Sequence, residues 1–222
     1  MEPLVVVIDP GHGGRLSYGA TWPRFTEGKG LVGDAVAKAL ADFAKDAKAV
    51  EKDINLAIAH EAKVALEGSG WPVTCELTRE TDEALALDAR AAVAAKHGAD
   101  LVVAIHCDTS PDPDVAGLWT YVRSGDPVGL SVARDIMVAC PRPLRRGSVE
   151  PKVTQPRPHW TGAAHAVMAH NGAPTVLIEC GFLSNDNDRA ILTSAAGRAL
   201  VVSAVMAGVG AYVYRRSAMA VA

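Results

Sequence analysis

Aromatic side chains make up only 5% of the 222 residues, with three Phe, four Tyr and four Trp. Since 49% of the chain is apolar, its core must be built mostly from Ala, Val, Leu and Ile. An excess of positive charge is also missing: 22 Lys and Arg stand against 25 Asp and Glu, for a formal net charge of -3. That balance supplies no basic field to neutralise phosphates, which argues against nucleic acid as a partner. The four cysteines, Cys75, Cys107, Cys140 and Cys180, form no C-x-x-C pair of the kind that marks a structural zinc or redox motif. Three of them, Cys75, Cys107 and Cys180, lie in apolar runs, where cysteine behaves as a small hydrophobe. They are expected as free core thiols, as in a protein made in a reducing compartment.

Long apolar runs are scarce. Ala199 to Tyr214, between Arg198 and Arg215, falls short of the ~20 residues of a membrane span and contains Gly208 and Gly210. It reads as a closing core helix, so no stable membrane span is expected. Glu2 follows Met1 and the first strand begins at once, without the basic segment or cleavage site of an export signal. No internal repeat and no linker divides the chain, and its length fits one domain spanning residues 1–222.

What is present is an alternation of two patterns. Runs rich in Val, Ile, Leu or Thr at Leu4–Asp9, Val73–Thr78, Leu101–Cys107, Leu118–Arg123 and Thr175–Cys180 predict strands. Helical spacing appears in Ile54, Ile58, Ala62 and Ala65, in Leu87, Ala91 and Ala94, and over Leu130–Ala139 and Ala195–Val213. Such alternation predicts an α/β domain with a mainly parallel sheet flanked by helices. Two stretches fit poorly. Residues 20–50 begin polar and aromatic, then resemble an exposed helix from Asp34 to Lys48, and the proline-rich residues 141–162 predict an irregular loop. Both are expected as insertions or loops rimming a cleft.

Open α/β sheets bind ligands beyond the carboxyl ends of their strands. Three of the predicted strand ends carry residues able to hold a metal or a proton: His12 in D-P-G-H-G-G, His106 in L-V-V-A-I-H-C, and Glu179 in T-V-L-I-E-C. Alternation along a strand turns Cys107 and Cys180 to the opposite face, into the core. A hydrolytic zinc often takes two histidines and one carboxylate and keeps a position open for water. Glu51, which opens E-K-D-I-N-L-A-I-A ahead of a helix, is the preferred carboxylate, although helix capping alone would also place an acid there. Glu27 is the rival, closer to His12 but in a glycine-rich stretch with no following helix to direct it.

Six segments together resemble the zinc-dependent N-acetylmuramoyl-L-alanine amidases, a family of cell-wall amidases that includes bacterial autolysins and phage endolysins. They are Val6–Gly14 (V-V-I-D-P-G-H-G-G), Glu51–Ala59 (E-K-D-I-N-L-A-I-A), Leu77–Asp82 (L-T-R-E-T-D), Leu87–Ala94 (L-D-A-R-A-A-V-A), Ala99–His106 (A-D-L-V-V-A-I-H) and Val176–Asn185 (V-L-I-E-C-G-F-L-S-N). They occur in the family's order and span nearly the whole chain. By this resemblance His12, Glu51 and His106 are the ligands of one zinc ion and Glu179 is the catalytic glutamate. The match selects Glu51 over Glu27, because Asn55 and Leu56 stand in register behind it. A twisted sheet of about six strands is implied, as is peptidoglycan as substrate, cut at the amide between N-acetylmuramic acid and L-alanine.

The chain departs from the family where Cys107-Asp108-Thr109 follows the second histidine, and Asp108 is expected to orient a ligand, add negative charge or cap the loop. Arg79 and Arg90 match family positions and are expected to be structural, pairing with acids such as Asp82 and Asp88. His60 and His97 are expected on solvent-facing helix surfaces, and His159, His165 and His170, near the proline-rich loop, are expected at the surface, with the lining of a substrate groove as the alternative. A single catalytic domain with no export signal points to a monomeric phage endolysin held in the host cytoplasm until lysis. A secreted or periplasmic bacterial autolysin is the alternative, and a zinc peptidase acting within the stem peptide is a third reading.

Overall fold

The run Leu4–Ile8 is apolar on both faces of a strand, so it is stable only between two layers, and that is where it lies. The computed structural model describes residues 2–14, 19, 21–22, 38, 49–145, 150–154 and 172–219. Glu27, His159, His165, His170 and, Lys38 apart, the exposed helix expected over Asp34–Lys48 lie outside these residues. In chain order the described elements are β1 (Leu4–Pro10), β2 (Thr21–Trp22), β3 (Ala49–Val50), α1 (Glu51–Glu67), β4 (Val73–Leu77), α2 (Leu87–Lys96), β5 (Leu101–Asp108), β6 (Trp119–Arg123), α3 (Pro127–Ala139), β7 (Lys152–Thr154), β8 (Thr175–Phe182), α4 (Asp186–Leu192) and α5 (Ala195–Met219). They form a single α/β domain around a six-stranded sheet of order β4-β1-β5-β8-β6-β7. Every neighbouring pair is parallel except β6 and β8.

The order of the inner strands decides where a ligand can go. From β1 the chain crosses through α1 to β4 on one side, then returns through α2 to β5 on the other. The two crossovers therefore lie on opposite faces. Ile54, Ile58, Ala62 and Leu66 of α1 pack with Val6, Ile8, Val103 and Ile105 in the main core, whereas Leu87, Val93 and Ala94 of α2 pack with Val7 and Val102. Between the carboxyl ends of β1 and β5 the loops diverge and leave a crevice, the switch point of an open sheet.

Local chemistry fixes the remaining helices. Asp126 caps α3 by accepting from the Gly129 amide at 2.7 Å, while its other oxygen accepts from Thr175 N at 2.9 Å and ties the helix to β8. Asn185 caps α4 through the amides of Asn187 and Asp188, both at 3.1 Å. The buried Asp188 then accepts from Gly117 N at 2.6 Å and Phe182 N at 3.0 Å. Seven residues are too few to show a helical period, which is why α4 was not expected. The closing helix α5 runs for 25 residues, longer than its apolar run. By length and composition it is able to cross a membrane, yet half of its most apolar window is buried, with Val201, Val205 and Val209 in the core.

The loop expected over residues 141–162 is corrected in part, since Lys152–Thr154 forms the edge strand β7 against β6. All four cysteines are free and buried. Burial pushes the thiols of Cys75 and Cys140 up to about 12, and Cys107 is raised well above its usual value by its hydrogen bond to Cys180 and by burial. The folded protein at pH 8 is therefore expected to resist a thiol reagent that labels four cysteines per chain in denaturant. Rapid labelling of any one of them in the folded state would contradict this packing.

Candidate metal centre

After Pro10 the chain leaves the sheet, and its carbonyl oxygens need new donors because a buried unpaired acceptor is costly. Two buried guanidinium groups supply them. Arg79 donates from Nε to Pro10 O at 2.9 Å and from Nη2 to Gly11 O at 3.1 Å and Lys52 O at 2.8 Å. Arg90 donates to Pro10 O at 2.8 Å and His12 O at 2.6 Å, and its Nη1 also meets Asp9 Oδ1 at 2.7 Å. Asp9 is fully buried and accepts a further bond from Thr78 Oγ1. The expectation that both arginines are structural holds, but the partners differ from those expected. Arg90 pairs with Asp9, not Asp88, and Asp82 pairs with Lys52, not Arg79. Asp9 lies far from Arg90 in sequence, and parallel β1 and the start of α2 bring them together.

Held in this way, His12 adopts φ 62°, a left-handed conformation rare outside glycine and found more often for His than for most residues. Gly13 and Gly14 continue at positive φ. Gly11 is required for a different reason: a Cβ there would occupy the space of the His106 imidazole. The two rings lie edge to face, with centroids 5.2 Å apart.

Glu51 is the first residue of α1, and Val50 before it provides no side-chain cap. Its Oε1 lies 3.4 Å from His12 Nε2 and 3.1 Å from His106 Nδ1. The same oxygen accepts from Cys107 N at 3.1 Å and Asn55 Nδ2 at 3.3 Å, so strand and helix orient it together. Burial works against the charge of Glu51, but His106 and then His12 outweigh it and hold the carboxyl well below the usual carboxylate range. One donor atom from each of His12, Glu51 and His106 lies within 4.8 Å of the others. Among the described residues this is the one group of three or more His, Cys, Asp or Glu side chains close enough to share a metal. Two imidazole nitrogens and a carboxylate oxygen form a set that fits a hydrolytic zinc with a position left open.

Glu179 is the strand partner of His106 across β5 and β8. Immediately beyond this pair the register slips, so that Asp108 faces Phe182; such bulges are common beside active sites, where they re-aim side chains. Oε2 of Glu179 is buried and, among the described residues, has no hydrogen-bond partner. Burial first, then the charges of Glu51 and Asp108, raise its carboxyl well above the usual value. Asp108 is half-buried and caps its own loop by accepting from Thr109 N at 2.7 Å, so it both shapes the loop and adds negative charge. The expected surface histidines are split: His60 is exposed on α1, with Nε2 2.9 Å from Glu80 O, whereas His97 is half-buried at the end of α2, 3.7 Å from Glu76. Trp119, opposite Glu179 on β6, and Lys152, over the Trp119 ring, were not singled out in the sequence, where neither sits in a recognisable motif.

Comparison with known proteins gives one family. N-acetylmuramoyl-L-alanine amidase (Amidase_3) matches residues 6–211. The chain is 26% identical over 247 residues to the N-acetylmuramoyl-L-alanine amidase AmiA of Escherichia coli K12, covering 94% of this chain and 75% of that protein. Among solved structures, AmiC2 of Nostoc punctiforme, also an N-acetylmuramoyl-L-alanine amidase, is 26% identical with a TM-score of 0.68 over 95% of this chain and 97% of its own. The CwlD amidase of Clostridioides difficile, solved in complex with the GerS lipoprotein, shares the fold with a TM-score of 0.72 at 24% identity, over 95% and 98% of the two chains.

The clamp on the first histidine yields a stability test. Arg90→Ala removes the ion-pair partner of the buried Asp9 and the donors to Pro10 O and His12 O, and is expected to cost about 3–5 kcal/mol in urea unfolding. Arg90→Lys should recover less than half of that, because one ammonium cannot serve Asp9, Pro10 and His12 together. A loss below about 1 kcal/mol, the range of a surface ion pair, would contradict the clamp.

Proposed function

Because the chain belongs to the N-acetylmuramoyl-L-alanine amidase family, we propose that it is a zinc-dependent hydrolase of peptidoglycan acting on the amide between N-acetylmuramic acid and L-alanine. The observation that carries this reading is the convergence of His12, Glu51 and His106, with Glu179 beside His106 in the sheet. His12, Glu51 and His106 would hold one zinc ion. Bound there, zinc supplies Lewis acidity toward the amide carbonyl and toward water, the chemistry that an unreactive amide requires.

The remaining work falls to the side chains. Glu179 takes the proton of the attacking water and delivers it to the departing L-alanine nitrogen, which otherwise leaves poorly. Its desolvated carboxyl is suited to that exchange, since a carboxyl lifted toward neutrality both accepts and gives up a proton readily. Glu51, held ionised by two imidazoles, serves as a ligand and not as a base. The two carboxyl groups thus divide their roles by environment. Asn55 and the Cys107 amide keep Glu51 in place, and the arginine clamp keeps His12 in place.

The site of action proposed is the cell wall. The whole chain, residues 1–222, is proposed as one catalytic domain working as a monomer. Two settings use the same chemistry. One is the phage endolysin expected from the sequence, kept in the host cytoplasm until lysis. The other is a secreted or periplasmic autolysin, which the bacterial sources of AmiA and AmiC2 support.

Digestion of purified sacculi tests the reaction. The wild type is expected to release new L-alanine amino termini, to stop when a chelator is added and to resume with zinc. Glu179→Gln should lower the rate by about 10²–10⁴-fold, the usual size of a general acid-base contribution. New reducing sugar ends, or amino termini of residues deeper in the stem, would replace the amidase reading with a glycosidase or a peptidase.

A further inference from the structure

On the far side of Glu179 from the metal ligands lies a group of side chains that the hydrolytic chemistry leaves unused. β6 runs antiparallel to β8 with Trp119 opposite Glu179 and Tyr121 opposite Leu177. Directly opposed residues in a sheet present neighbouring side chains on one face, so Trp119 stands beside Glu179, which itself stands beside His106. Phe182 packs against the Trp119 indole edge to face, with centroids 5.0 Å apart. This anchors the ring.

Lys152 comes from the edge strand β7, in register with Tyr121. Although Lys152 is exposed, its ammonium turns back over the aromatic rings. It lies 3.1 Å from the centroid of the Trp119 ring and 5.3 Å from that of Tyr121, and Nζ donates to Tyr121 Oη at 3.4 Å. Among the described residues no carboxylate meets this ammonium at ion-pair distance. Partial burial draws its pKa below the usual lysine value, and the field of Asp108 opposes that shift. An aromatic face steadies a cation without neutralising it, so the shelf holds a fixed positive charge one strand away from Glu179. Because the ammonium covers the face of Trp119, that face is not open for stacking against a sugar ring.

Neighbouring strands are about 4.8 Å apart and successive Cα atoms of a peptide 3.8 Å. A stem peptide that leaves the His106–Glu179 pair across β6 therefore brings the residue after L-alanine within reach of Lys152. We propose that Lys152, seated on Trp119 and Tyr121, is a specificity-determining residue that binds a carboxylate carried by that second stem residue. The site takes an anionic peptide carboxylate and disfavours the corresponding carboxamide, which offers no charge to pair with the ammonium. This inference rests on the amidase reading given above.

Two synthetic muropeptides that differ only in a carboxylate or a carboxamide on the second stem residue test it, with kcat and KM measured for the zinc-loaded full chain. The wild type is expected to favour the carboxylate through KM by about tenfold, the size of one charge-assisted contact. Lys152→Gln should collapse that preference through the carboxylate substrate's KM, and Lys152→Arg should retain most of it. A wild type without preference, or a Lys152→Gln variant whose two substrates weaken alike, overturns the subsite while leaving the amidase reading intact. If the wild type releases no L-alanine amino terminus from either compound, the amidase reading falls and the subsite with it.

Discussion

The site depends on two buried guanidinium groups that take up the carbonyl oxygens of the loop after β1. Pro10, Gly11 and His12 end the strand with three acceptors turned inward, and Arg79 and Arg90 meet all three. Asp9, the last charged residue of β1, fixes Arg90 in turn. Burial and the nearby Arg90 charge draw the pKa of Arg79 down from its usual value, a cost consistent with two cations packed around one loop. What the clamp secures is the left-handed backbone of His12, a conformation that costs a non-glycine residue about 1–2 kcal/mol. Without it the imidazole would have no fixed direction.

The sheet contributes the second constraint. Because the crossovers after β1 and β4 lie on opposite faces, the carboxyl ends of β1 and β5 open into the same crevice, and His12 and His106 are delivered to it by neighbouring strands. Helix α1 begins at that crevice and brings Glu51. Strand β8 lies on the other side of β5 and brings Glu179 level with His106. Two carboxyl groups then share a small volume under opposite influences. Glu51 has imidazoles around it and is held ionised, whereas Glu179 has only burial and negative neighbours and is pushed toward its neutral form. Environments that separate two carboxyl groups in this way mark an assignment of different roles.

Much of this was legible in the residues. The five longer strands and four of the helices follow from apolar runs and periodicity, and the strand-end rule singles out His12, His106 and Glu179. Glu51 was preferred for its place at the start of a helix, where an acid also reads as a cap, and the family resemblance decided it over Glu27. The partners of the arginines were hidden because Asp9 and Arg90 are 81 positions apart and meet only through the parallel crossover. Strand β7 was hidden too: three residues in a proline-rich stretch carry no usable period, and with it went the position of Lys152 over Trp119. Helix α4 escaped for the same reason of length.

The proposed function turns on a single zinc ion that His12, Glu51 and His106 would hold, in positions set by the clamp and the strand order. X-ray absorption at the zinc edge of the purified, zinc-loaded chain tests this most directly. The account predicts one zinc per chain, nitrogen and oxygen scatterers with no sulfur, and loss of that signal in a His12→Ala, Glu51→Gln variant. Sulfur in the first coordination sphere, or a zinc that stays bound with both residues replaced, would contradict it.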